Sequence, residues 1–417
     1  MLFLEEAYQA KLTRAYDLRS VVIEEVSQYY EGDRAVYLQP TERLSRVRCT
    51  NIAEKRPSVQ VADRVFAWRA DHAEQQHVQF EGFVHRLEAE ALLILFCADF
   101  HAKNPPGTLM NVSFGAERLT MRCMHRAIDE VGLDVVWPTK ATQPLSQDQM
   151  RELDAYAASL DLPDEMNDQQ RFTVASLLRK DHGSTPFLLY GPFGTGKTRT
   201  LIEFLKLLLG PNAEAKVPAS NREPRVLVCS PSNSSVDMYV SQLASVVGSP
   251  SEMHRIMAPH RGPIYNRELA PYTRFDAAAG MHRLPEMAEL LQMKVVVCTT
   301  RMAAALCARG VPKGHFTHIV LDEAAQLMEA EALLPLSLAD KHTSVVMAGD
   351  PKQLGPSTFS NTRKSVHGVH ASVMERLQAL DAYQQRMPSV CQNLVKNYRS
   401  HPAIVRLLSK ISYNGKL

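Results

Sequence analysis

The stretch from Gly191 to Thr198 reads G-P-F-G-T-G-K-T. At this spacing, backbone N–H groups converge on phosphate oxygens. Gly191, Gly194, Thr195 and Gly196 shape the turn, Lys197 is set to reach β- and γ-phosphates, and Thr198 is set to ligate Mg²⁺. Arg199 follows on the same first turn. The apolar run 187–190 before it and the run 201–205 after it supply strand, loop and helix. A helix there turns the positive end of its dipole toward the same charge. Glycine-rich turns also serve as plain chain reversals, but eight matched positions in this context favour the phosphate cradle.

A second segment, "HIVLDEAAQ", ends an apolar strand on Asp322 and Glu323. Carboxyl ends of strands are where open α/β sheets hold ligands. Asp322 suits a Mg²⁺ partner, and Glu323 suits a base that orients and deprotonates an attacking water. A base beside the metal carboxylate fits hydrolysis better than transfer to an acceptor. The competing structural role is Asp322 as a helix cap. A third segment, "SVVMAGDPKQLGP", delivers Asp350 and Gln353, whose amide has the reach to bond a γ-phosphate oxygen or the water. No N-K-x-D guanine-reading motif is present.

These groups need a scaffold that brings several strand ends to one place. From about residue 150 the patterns alternate: helix 168–180, strand 186–190, helix 197–209, strand 225–230, helix 234–247, then strands 294–299, 317–321 and 343–348. Alternation of this kind predicts a parallel sheet with helices on both faces. The stretches 211–224 and 249–290 lack periodicity and are expected to be excursions from the sheet. Upstream, short segments between Gly, Pro and Asp turns over 35–125 predict a small β-barrel. Leu4, Tyr8, Leu12, Tyr16 and Leu18 recur at near-helical intervals, which predicts one amphipathic helix over 2–30. The expected organisation is a helical stalk (1–34), a barrel (35–137), a linker (138–150), an α/β ATPase domain (151–390) and the start of another domain (391–417).

Composition narrows the partners. Against 47 basic residues stand 45 acidic ones, a net charge of +2, so nucleic acid would have to be held by a local groove. Seven cysteines are scattered without a C-x-x-C pair, which disfavours structural zinc and disulfides and suits reduced thiols inside a cell. The apolar run 89–98 contains Glu90 and is too short to span a bilayer, and "MLFLEEAYQAK" has acids where a signal peptide has bases. No membrane association is expected.

Taken together, the motifs resemble those of superfamily 1 helicases of the up-frameshift-like branch: "MNDQQ", "GPFGTGKT", "VLVCSPSNSSVD", "DEAAQ", "GDPKQLGP" and "NYRSHPAI" occur in that order. "LEEAYQAKLTRAYDL" and "VSFGAERLTMRCMHRAID" are similar to the Mov10 and helicase-with-zinc-finger group, although no C-C-C-H cluster occurs here. The resemblance implies a RecA-like P-loop NTPase domain preceded by a helix and a small β-barrel that flanks the strand's path. It implies ATP and Mg²⁺ as cofactors, Gln170 and Tyr398 at the base, and Arg399 at the γ-phosphate. Ser232, Asn233, Thr299 and Thr300 would hold the nucleic-acid backbone. Implied too are 5′ to 3′ movement on single-stranded RNA, with DNA as the alternative, and protein partners in RNA silencing, decay or transcriptional coactivation. The implied location is the cytoplasm, with the nucleus as the alternative. The later family motifs have no counterpart, so the chain reads as the N-terminal motor half of a helicase. The alternative is an ATP- and RNA-binding scaffold that does not translocate.

Overall fold

The computed structural model describes residues 2–26, 28–31, 34–37, 44–49, 59, 63–71, 78–88, 90–115, 119–132, 144–183, 185–211, 222–259, 261, 264, 266–277, 281–358, 371–384, 387–415 and 417. Six antiparallel strands close into a barrel in the order Leu18–Val26, Leu44–Arg48, Ala91–Phe96, Phe80–Leu87, Arg64–Arg69, Leu109–Gly115. Alternation builds it: in Leu109–Gly115, residues Met110, Val112 and Phe114 are buried and their neighbours are not. The interior is filled by Ile23, Val47, Val65, Val84, Leu92, Ile94 and Val112, with Phe96 stacked on Phe100 at 4.1 Å. Gly82 is required there, because a Cβ would lie 2.6 Å from the Phe96 ring.

The N-terminal helix is shorter than its periodicity predicts. It runs Leu2–Thr13 and gives way to a barrel strand at Leu18. Val21, Val22 and Ile23 are β-branched and favour a strand, and two barrel edges supply their partners, Leu44–Arg48 on one side and Leu109–Gly115 on the other. Leu4 and Tyr8 of the expected apolar face are 52% and 44% exposed. Residues 18–26 thus belong to the barrel, not to a stalk. Arg34–Tyr37, expected in the barrel, instead pairs with Gln28–Glu31 in a separate hairpin.

After the barrel, the helix Leu119–Glu130 turns to the next unit. Its Met121, Cys123, Met124 and Ala127, with Leu2 of the first helix, join the apolar cluster of Leu306, Ala332 and Leu333. Lys313 Nζ donates to the Glu130 carbonyl at 2.7 Å. Two helices therefore fasten the barrel to the α/β domain. Of the expected linker, 138–143 lies outside the described residues, and a helix already begins at Gln147, capped by Ser146.

The α/β domain is a seven-stranded sheet in the order Met253–Ile256, Val295–Thr299, Val226–Ser230, His318–Leu321, Ser344–Gly349, Phe187–Tyr190, Cys391–Asn393, every pairing parallel. Both faces are covered, so the strands read as continuous apolar runs. Successive residues feed opposite cores: Leu227, Ile319 and Met347 pack on one side, Val228, Val320 and Val346 on the other. Two edges depart from expectation. Met253–Ile256 lies inside the stretch expected to leave the sheet, and Cys391–Asn393 lies in the segment expected to open another domain. Strands of four and three residues carry no readable period; pairing with distant neighbours makes them strands. Residues 212–221 of the other expected excursion lie outside the described residues. Among the described residues no helix is long and apolar enough to cross a membrane.

Candidate nucleotide and nucleic-acid sites

Three adjacent strands, His318–Leu321, Ser344–Gly349 and Phe187–Tyr190, end side by side and deliver the three motifs to one rim. At the P-loop, Gly194 and Gly196 have φ of +69° and +85°, conformations glycine adopts freely. Gly196 caps the helix Lys197–Leu209 without any side-chain cap, so first-turn N–H groups face the loop's hollow. Lys197 is 7% exposed, and its Nζ donates to the Gly191 carbonyl at 2.8 Å. Thr198 Oγ1 donates to Asp322 Oδ2 at 2.7 Å, which joins the cradle to the carboxylate strand.

Asp322 is fully buried and accepts three hydrogen bonds: Oδ2 accepts from Thr198 and, at 2.9 Å, from Tyr239 O–H, while Oδ1 accepts the Glu323 N–H at 2.9 Å. Glu323 sits in the left-handed region at φ +54°, a strained place for a residue with a side chain. Burial raises its pKa, the Asp322 charge adds to the rise, and Lys197 and the amide of Gln326 oppose it. A carboxyl tuned this way is a better proton acceptor than an exposed glutamate. A hydroxyl, a carboxylate, an ammonium and uncapped N–H groups form a donor set that fits Mg²⁺ and phosphate. Gln353 reaches this rim differently than expected: its Nε2 donates to Asp350 Oδ2 at 2.6 Å, and Tyr413 O–H donates to the same oxygen at 2.6 Å.

Gln170 is 3% exposed and bonded at both ends of its amide: Oε1 accepts the Asn167 N–H at 3.0 Å, and Nε2 donates to the Thr195 carbonyl at 3.1 Å. It ties the cap of its own helix to the P-loop. Tyr398 and Arg399 sit on a turn that docks on that loop, since Tyr398 N–H donates to the Gly194 carbonyl at 2.9 Å. Asn397 Nδ2 donates to the Phe193 carbonyl, while Asn397 Oδ1 accepts the N–H groups of Arg399 and Ser400. The Tyr398 ring is 49% exposed and its hydroxyl accepts from Asn167 Nδ2 at 2.9 Å. Arg199 pairs instead with Glu165 at 3.1 Å on the surface.

The expected nucleic-acid residues divide. Ser232 and Asn233 are exposed at the start of the helix Asn233–Leu243, where Ser232 Oγ accepts the Ser235 N–H at 3.1 Å. Thr299 is half-buried at a neighbouring strand end. Thr300 is fully buried; the strand turns at once into Thr300–Met302, which tucks its side chain inward. Asn233 Oδ1 accepts from Arg255 Nη2 at 2.8 Å and Arg261 Nη1 at 2.9 Å, and Arg255 Nε donates to Asp237 at 2.8 Å. Sequence reasoning passed over Arg255, Arg261, Asp237, Tyr239 and Asn397. Tyr239 shares its helix face with the buried Val236, Val240 and Leu243 and carries no pattern that sets it apart from them, and Arg255 lies in a stretch without period.

Residues 165–289 and 281–361 match the family model described as an AAA domain, and residues 34–114 match the one described as the helicase MOV-10 β-barrel domain. The chain belongs to the superfamily 1 helicases of the Mov10 group. The Danio rerio protein mov-10-B.1 is 28% identical over 94% of this chain and 38% of its own length. The Drosophila melanogaster protein named "Probable RNA helicase armi" is 30% identical over 93% of this chain and 35% of its own. The human protein named "Probable helicase with zinc finger domain" is 31% identical over 77% of this chain and 16% of its own. This Mov10-group chain therefore spans well under half the length of those relatives.

Proposed function

We propose that this chain is the ATP-hydrolysing, strand-gripping part of an RNA helicase that moves 5′ to 3′ on single-stranded RNA. The observation that carries the reading is the 2.7 Å bond from Thr198 to the buried Asp322, made with Lys197 and Glu323 close enough for the lysine charge to act on the glutamate. Thr198 and Asp322 would hold Mg²⁺, which when bound neutralises charge on the phosphates. Lys197 supplies its ammonium to the β- and γ-phosphates. Glu323 takes a proton from the attacking water at a carboxylate oxygen, and its partial burial raises the basicity used for that step. Tyr398 offers an exposed ring for stacking on the base, Gln170 fixes the loop beneath it, and Gln353 and Arg399 report on the γ-phosphate.

Ser232, Asn233 and Thr299 would grip the strand through sugar and phosphate, which needs no base reading. RNA rather than DNA is favoured by the name of the Drosophila relative. The test uses a fluorescent ATP analogue with Mg²⁺ and an oligouridine strand. Lys197→Ala is expected to abolish nucleotide binding while leaving RNA binding in the absence of nucleotide intact. Undiminished nucleotide binding by that variant would overturn the reading.

A further inference from the structure

The helix Asn233–Leu243 touches both proposed sites. Its first turn carries Ser232 and Asn233 at the surface, and Tyr239, six residues further and about 9 Å along the axis, points inward. Tyr239 is fully buried, and its hydroxyl donates to Asp322 Oδ2 at 2.9 Å. The helix packs on the strands Val226–Ser230 and Val295–Thr299 and on the P-loop helix. With the Thr198 hydroxyl serving a cation, Tyr239 is the side-chain donor that remains on Oδ2.

Building on the function proposed above, we infer that Tyr239 is a positioning residue that orients the Asp322 carboxylate for Mg²⁺ and ties it to the helix whose first turn grips RNA. The tie is short and stiff. A displacement of the first turn is carried along the helix by its own hydrogen bonds and moves the phenol relative to the carboxylate, so a strand seated on Ser232 and Asn233 changes how well Asp322 is placed. Arg255 stiffens the surface end by holding Asn233 and Asp237 from the edge strand. Energetic coupling of this kind is reciprocal: RNA changes the affinity for Mg²⁺-nucleotide by the same factor by which Mg²⁺-nucleotide changes the affinity for RNA.

The experiment is Tyr239→Phe, which keeps the ring and removes the hydroxyl. Binding of a non-hydrolysable fluorescent ATP analogue is titrated with Mg²⁺, with and without saturating oligouridine. The expected result is a loss of about tenfold in Mg²⁺ affinity, the usual scale for removing an outer partner of a metal carboxylate, and disappearance of the RNA effect on that affinity. RNA binding without nucleotide stays within about twofold of wild type, which a general structural defect would not spare. Wild-type Mg²⁺ affinity in Tyr239→Phe, or an undiminished RNA effect, overturns the inference and leaves the proposed function standing. Failure of the wild-type chain to bind the nucleotide or the RNA overturns that function and the inference with it.

Discussion

Asp237→Ala is expected to be severe although the residue lies on a helix near the surface. The Arg255 side chain is fully buried and donates to Asp237 Oδ1, Asn233 Oδ1 and the Ile256 carbonyl. Burial pulls the arginine's pKa down, and Asp237 is the group that opposes this. Removing the carboxylate leaves a buried guanidinium with neutral acceptors only, and Arg261, 3.5 Å from the same carboxylate, becomes an uncompensated neighbour of like charge. Breaking a buried pair from one side costs about 3–5 kcal/mol. For a domain of this size that lowers the thermal midpoint by roughly 6–20 °C.

Arg255→Met should cost less, about 1–2 kcal/mol, because Asp237 keeps Arg261 and its side chain is 18% exposed. The double variant Arg255→Met, Asp237→Leu should recover most of the Asp237→Ala loss, since apolar replacement of both partners is often close to neutral. Thermal and urea unfolding of the chain measure all three. A midpoint shift under about 2 °C for Asp237→Ala, or a double variant as unstable as Asp237→Ala, would refute the reasoning.

Glu323→Gln should keep Mg²⁺-nucleotide binding while hydrolysis falls about 10²–10⁴-fold, read from single-turnover phosphate release; normal release would sink the base assignment. Because the folded pKa of Glu323 is raised, its deprotonation opposes folding as pH rises through that value. Glu323→Gln should therefore unfold at a higher temperature than wild type at pH 8, with the difference shrinking toward pH 4. The acid limb of hydrolysis should likewise lie above the ordinary glutamate range of about 4.3. Gly196→Ala places a methyl 2.5 Å from Gln170 Nε2 at a φ of +85°. It should cost about 1–3 kcal/mol and weaken nucleotide binding, so unchanged affinity in a titration would count against the described loop.

Much of the site was legible because its chemistry is local. Gly191 to Thr198 needs only a strand before it and a helix after it, and the helix begins at Lys197 as the pattern predicts. Asp322, Glu323 and Asp350 follow apolar strands whose burial on both faces leaves a clear hydrophobic signature. The N-terminal helix misled because Tyr16 and Leu18 continue a helical spacing by chance, while what decides the structure of 18–26 is two barrel strands tens of residues away. Thr300 misled for a related reason: a strand end advertises a polar residue but not the direction in which the next turn points it.

From residue types and spacing alone came the glycine-rich turn between strand and helix, the acidic pair and the alternation that requires a parallel sheet, because each rests on contacts within one or two turns of chain. The tertiary structure alone decided that Met253–Ile256 and Cys391–Asn393 complete the sheet, that Arg255 is buried beneath Asn233, and that Tyr239 reaches Asp322. Those facts depend on pairing and packing between segments far apart in sequence, where a short strand, a buried cation or a phenol is stabilised by its distant partner and leaves no periodic trace of its own.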